Sequence, residues 1–247
     1  MAEEQNLATS RRPPFRGSSV TRPAQARRGT SNKQESNFFG LPREIRDNIY
    51  RRVLYVSHPL YLFQDTGSQV ETFAPERPHR WLALLQVNRQ IHVEAAETLF
   101  GVNHFALLDE KRPKDDLLKA FLTCIGAANS ASLSHLSVDF PGLECSAEGL
   151  KIKDDSLKRL KLLQEFCTNL KTLEISFSVK HVRELDQVTG ESQQHANEAL
   201  SQINSQLRAI SSLNTIIVRV TGPKPALSVM DCMRTLGWTI LPAYGNH

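Results

Sequence analysis

The chain has 247 residues, 40% hydrophobic and 23% charged, enough apolar content to bury a core over most of its length. Four cysteines cannot staple a chain of this size, and no run approaches the roughly 18 uninterrupted apolar residues of a membrane-spanning helix. The net charge of +4 sits in residues 1–36, where Arg11, Arg12, Arg16, Arg22, Arg27, Arg28 and Lys33 face only Glu3, Glu4 and Glu35.

That segment reads as a disordered basic tail. Pro13, Pro14 and Pro23 stand among small polar residues, with almost no large apolar side chain to offset the entropy of ordering. Such a tail can serve as a nuclear address or touch phosphates. No basic stretch is interleaved with aromatics, as a stacking platform requires, so nucleic acid is not the expected partner. Glu3 and Glu4 occupy the place where a secretory leader carries positive charge, and no apolar stretch follows. The expected location is cytoplasmic or nuclear, with reduced thiols and no membrane partner.

Order is expected to begin near Phe38. Pro42 suits the first position of a helix, and Ile45, Ile49 and Val53 follow at i, i+4 and i+8, with Tyr50 and Leu54 beside them. The spacing predicts a helix over 43–54 with one apolar stripe. Pro59, Gly67, Pro75 and Pro78 interrupt the next stretch, so 55–80 is expected to be extended, with Tyr61–Phe63 paired to Val70–Phe73. Leu84, Leu85, Asn88, Ile91, Ala95 and Leu99 predict a helix from Trp81 to Phe100, stopped by Gly101. A third helix is expected over 114–125, started by Asp115 and Asp116, ended by Gly126, and burying Leu117, Leu118, Phe121, Leu122 and Ile125.

The C-terminal half repeats an apolar-x-x-apolar-x-apolar segment. Leu133/Leu136/Val138, Leu170/Leu173/Ile175 and Leu213/Ile216/Val218 share it, Val102/Phe105/Leu107 fits, and Leu236/Thr239/Leu241 fits poorly. The last two positions lie two apart and point to one face of a strand. Helices fill the gaps. One carries Leu157, Leu160, Leu163 and Phe166 behind Asp154 or Asp155 as cap. Another carries Leu200, Ile203, Leu207 and Ile210, and the last buries Leu227, Met230 and Met233 or Leu236. Alternating helix and strand build a parallel sheet with packed helices. Two versions remain open: an irregular leucine-rich-repeat-like arc and an ordinary small α/β sheet.

Signals of catalysis are sparse. The sequence has no Gly-x-Gly-x-x-Gly, no Gly-x-x-x-x-Gly-Lys-Ser/Thr and no Gly-x-Ser-x-Gly. His92-Val-Glu94-Ala-Ala-Glu97 lacks the second histidine that would place two zinc ligands on one helical face, and reads as a solvated helix edge. Cys124, Cys145, Cys167 and Cys232 form no Cys-x-x-Cys pair, and the eight histidines are dispersed. No catalytic residue, cofactor or metal is expected, and the chain is read as a non-enzyme.

Phe39-Gly-Leu41-Pro42-Arg-Glu44-Ile45-Arg46-Asp-Asn-Ile49-Tyr50 resembles the opening of an F-box. A second segment is Leu85-Gln-Val87-Asn88-Arg89-Gln-Ile91-His-Val-Glu94-Ala95-Ala-Glu-Thr-Leu99-Phe100. Together they resemble a fungal F-box-like family that pairs Leu-Pro-x-Glu-Ile-Arg-x-x-Ile-Tyr with Leu-Leu-x-x-Cys-Arg-x-Ile-x-x-Glu-Ala-x-x-x-Leu-Tyr. Asn88 stands where that family has Cys. The resemblance covers about residues 38–107, less the stretch at 55–80. It implies an adaptor whose N-terminal helices bind the Skp-type linker of a cullin–RING ubiquitin ligase while the C-terminal module holds a protein substrate. By position it implies that Leu41, Pro42, Ile45 and Ile49 contact the linker or pack. The alternative is a protein–protein scaffold with no ubiquitin role. The expected fold is α/β: the disordered tail over 1–36, an F-box-like helical cap over 37–100 with the extended insertion, and a repeat-like, mostly parallel sheet with packed helices over 101–247.

Overall fold

The computed structural model describes residues 37–64, 69–75, 80–108, 117–146, 149–186 and 192–244. The tail at 1–36, Gly67, Pro78, Asp115 and Asp116 lie outside the described residues. Asn37–Gly40 belong to a first unit and hold a 3₁₀ turn, Phe38–Gly40, in which the Phe38 and Phe39 rings meet edge-on. Everything from Leu41 onward is a second unit.

In chain order the elements begin with α1 (Arg43–Leu54), β1 (Leu60–Gln64), β2 (Val70–Phe73), a 3₁₀ turn (Trp81–Gln86) and α2 (Arg89–Val102). Next come β3 (His104–Leu107), α3 (Leu117–Ser132), β4 (His135–Asp139), β5 (Leu143–Ser146), β6 (Gly149–Ile152) and α4 (Asp154–Phe166). The remainder is β7 (Thr172–Ser178), α5 (Val179–Asp186), α6 (Ser192–Arg208), β8 (Thr215–Thr221), α7 (Leu227–Thr235) and β9 (Thr239–Pro242).

A seven-stranded sheet has the order β2-β1-β3-β4-β7-β8-β9, parallel throughout except for the β1–β2 hairpin. The repeated segments lie in register. Phe105, Leu136, Leu173 and Ile216 form one ladder, and Val138, Ile175, Val218 and Ile240 form a second. Six of these eight side chains are buried, and Val138 and Ile240 are half-buried. The turns before the strands repeat as well. The N–H groups of Lys171 and Thr172 both donate to Ser134 O, and those of Asn214 and Thr215 both donate to Lys171 O.

Strands from β1 and β3 to β9 join without reversing direction across the sheet. With crossovers of one hand, that order places the helices on a single face. Accordingly α2, α3, α4, α6 and α7 pack side by side. Leu118, Leu160, Leu163 and Leu207 from three of them meet Val138, Leu173 and Ile175 around a residual cavity of about 40 Å³. A small β5–β6 hairpin, unanticipated in the sequence, packs beside α6.

The expected hairpin at 61–73 forms, with Tyr61 opposite Phe73. It is also the edge of the main sheet, because β1 pairs with β3. The regions anticipated over 37–100 and 101–247 therefore share one sheet.

Several local expectations are corrected. The helix anticipated from Trp81 to Phe100 is broken at Asn88, whose extended backbone and side chain start α2: Ile91 N–H donates to Asn88 Oδ1 at 2.9 Å. Asn88 is thus an N-cap and not part of an apolar stripe. Replacing it with alanine is expected to cost about 1 kcal/mol in a thermal unfolding measurement, as for other lost caps. Gly101 does not stop α2, which continues to Val102. Gly126 breaks α3 at φ 78°, and helix resumes beyond it. Asp154 and Asp155 lie inside the first turn of α4 behind Lys153, where they complement the helix dipole without capping by side chain. In α7 the buried residues are Val229, Met230 and Met233, while Leu227 is 73% exposed. The β9 segment slips by one residue. Ile240, not Leu241, pairs with Val218, and the buried Trp238 precedes it.

Candidate functional site

Helix α1 divides into two apolar faces, and the buried one is not the stripe anticipated from spacing. Arg46, Tyr50 and Leu54, at i, i+4 and i+8, face α2 and are buried. The adjacent stripe stays in solvent: Leu41 is 36% exposed, Ile45 46%, Ile49 37% and Val53 40%. Pro42 is also exposed and occupies the N-cap position.

A buried ion-pair network holds α1 in this orientation. Arg46 Nε and Nη2 donate to Glu94 Oε2 and Oε1 at 2.8 and 2.7 Å, a bidentate pair. Tyr50 Oη donates to Glu94 Oε2 at 2.9 Å, and Arg46 Nη1 donates to Leu41 O at 2.6 Å. The Arg46 hydrogen bond, ahead of opposing burial, holds the Glu94 carboxyl down to about 2. Burial, then the bond to Glu94, pushes the Tyr50 phenol up to about 12. Arg43 adds a bond to Glu97 at 3.0 Å. At the other end of the helix pair, Asn103 is buried. Its Oδ1 accepts from Val56 N–H, and its Nδ2 donates to Leu54 O and Leu99 O. Glu94 is therefore not the solvated helix edge expected for that segment.

The sheet face opposite the helices carries a second polar cluster. His104 and His135 are paired across β3 and β4, and their rings stack with centroids 3.7 Å apart and planes 4° from parallel. His104 Nε2 lies 2.6 Å from Ser137 Oγ, and His135 Nε2 lies 3.2 Å from Glu174 Oε1. Glu174 Oε2 accepts from Arg219 Nε at 2.9 Å and from Tyr244 Oη at 2.8 Å. The Arg219 guanidinium lies over the Tyr244 ring, 3.9 Å from its centroid.

Glu174 is only 3% exposed. Burial alone would raise its carboxyl, but the hydrogen bonds from His135, Arg219 and Tyr244 outweigh it and hold the group well below the usual carboxylate range. Burial, with His135 alongside, lowers His104 to about 4 and keeps its ring neutral. Burial, then the bond to Glu174, pushes Tyr244 up to about 12.

Comparison with protein-family models, curated proteins and solved structures finds no match.

Leu41, Pro42, Ile45 and Ile49, singled out in the sequence, thus lie together at one exposed helix surface. Arg46, Tyr50 and Glu94 were visible only as letters of two separate motifs. The structure joins those motifs through one buried carboxylate. The histidine–glutamate cluster had no local signal, since its members come from three strands. Among the described residues Cys124 and Cys145 are exposed, and Cys167 is buried with its thiol pushed up to about 12.

Proposed function

We propose that the chain is a non-enzymatic protein-interaction adaptor of the F-box-like kind, with α1 as docking helix for a Skp-type linker and the sheet region as holder of a protein substrate for a cullin–RING ubiquitin ligase. The observation that carries this reading is the stripe Leu41, Ile45, Ile49 and Val53. These side chains are more than a third exposed although the helix is already anchored to α2 by another face. An amphipathic partner is recognised through such i, i+4 anchors. No helix among the described residues is long and apolar enough to cross a membrane. The reading carries a cytoplasmic or nuclear location, where the free thiols stay reduced.

The second reading, a scaffold without a ubiquitin role, draws on a different observation. The two motif helices are tied to each other through Glu94, and the β1–β2 hairpin lies between them in the chain. In that reading the motif pair is a structural cap on the sheet.

Ile45→Asp together with Ile49→Asp separates the two. Because both side chains are exposed, the adaptor reading predicts a melting temperature close to wild type and linker binding weakened at least about 30-fold, as for lost hot-spot anchors. A melting temperature that falls sharply would instead assign the stripe to the fold.

A further inference from the structure

We propose that His104, His135 and Glu174 form a binding site for one divalent transition-metal ion, with Zn²⁺ the best-fitting occupant. Three consecutive strands of the sheet bring the residues to one face, and their donor atoms lie within 4.8 Å of one another. Two imidazole nitrogens and one carboxylate oxygen make a donor set of borderline softness, which suits Zn²⁺ better than Mg²⁺ or Ca²⁺.

The carboxylate is oriented for this role. Arg219 Nε and Tyr244 Oη both hold Oε2, while Oε1 is turned toward the imidazoles. Arg219 Nη2 approaches Oε1 only to 3.5 Å, a weak contact. Outer partners that fix a ligand in this way are typical supports of metal sites. His135 keeps about 30% of its side chain in solvent, which leaves a route for the ion and room for water as a fourth ligand.

Binding requires two adjustments. Zinc–nitrogen distances of about 2.0–2.1 Å demand that the parallel rings splay so that both Nε2 lone pairs meet at one point. Ser137 Oγ must also release His104 Nε2, and each ring must carry its proton on Nδ1. Side chains on a half-open sheet face have that freedom, whereas the backbone ladder beneath them stays fixed.

The test is calorimetric titration of the full chain, stripped of metal by chelation, with ZnCl₂ in excess Mg²⁺. One site of micromolar or tighter affinity is expected. His104→Phe and His135→Phe keep a ring in the stack and remove the ligand, so each should weaken binding by about a hundredfold or more. Tyr244→Phe should weaken it by about tenfold through loss of carboxylate orientation. Co²⁺ bound to the unmodified chain should show the intense visible absorption of a low-coordinate nitrogen–oxygen site. Affinity weaker than about 100 μM, a single site indifferent to both Phe variants, or a Co²⁺ spectrum like that of the hydrated ion would each overturn the proposal.

Discussion

Leu173→Ala is expected to lower the free energy of unfolding by about 2–5 kcal/mol, the cost of a cavity in a packed core. Leu173 is fully buried and sits mid-ladder, in register with Leu136 on one side and Ile216 on the other. It already borders the residual cavity beneath α4, so truncation enlarges an existing void. Leu136→Ala and Ile216→Ala should fall in the same range. Lys171→Ala, at an exposed position two residues away, should stay within about 0.5 kcal/mol. Urea denaturation with a common slope reads these differences directly. Equal, small effects at the ladder and at Lys171 would remove the assigned register.

The second large effect is expected at Glu94. Glu94→Ala leaves the Arg46 guanidinium and the Tyr50 hydroxyl buried without their acceptor and should destabilise by about 3 kcal/mol, in the range for a broken buried pair. Glu97→Ala, one turn on and mostly in solvent, should cost less than about 1 kcal/mol. The same carboxylate predicts a pH dependence. Its folded-state value of about 2 lies below the ordinary 4.5, so its contribution is present above the ordinary value and is lost as pH falls from about 4.5 toward 2. Glu94→Gln should flatten that part of the stability–pH curve. An unchanged curve would mean that the network does not form in solution.

The parallel sheet was legible because its signal is local. Leu133, Leu170 and Leu213 recur at one place before each strand, and register follows when equivalent residues pair. The slip at β9 has a physical origin: Thr239 is a poor occupant of the template's middle site, whereas Trp238 is buried, and Ile240, two residues on, takes the place beside Val218. The division of α1 into a buried and an exposed face is not legible locally for a related reason. Spacing puts Ile45, Ile49 and Val53 on one apolar stripe beside Tyr50 and Leu54 and leaves open which of them enters the core. It cannot see that Glu94, 48 residues away, neutralises the guanidinium and allows Arg46 inside. Glu174, a charged residue alternating with Leu173 and Ile175, has the pattern of a solvent-facing position, yet it is buried. Burial came from His135, Arg219 and Tyr244 converging on it from three other strands or loops. Helix α5 lacks the usual start signal in the sequence: Ser178 N–H donates to His181 Nδ1 at 3.0 Å, the place a glutamate usually takes in a capping box.

The proposed function stands on whether the exposed stripe of α1 has a partner. Calorimetric titration of the purified full chain with a purified Skp-type linker tests it most directly. The adaptor reading predicts one-to-one binding at micromolar or tighter affinity, weakened at least about 30-fold in the Ile45→Asp, Ile49→Asp chain. Absence of binding by the unmodified chain at tens of micromolar would contradict it and leave the scaffold reading.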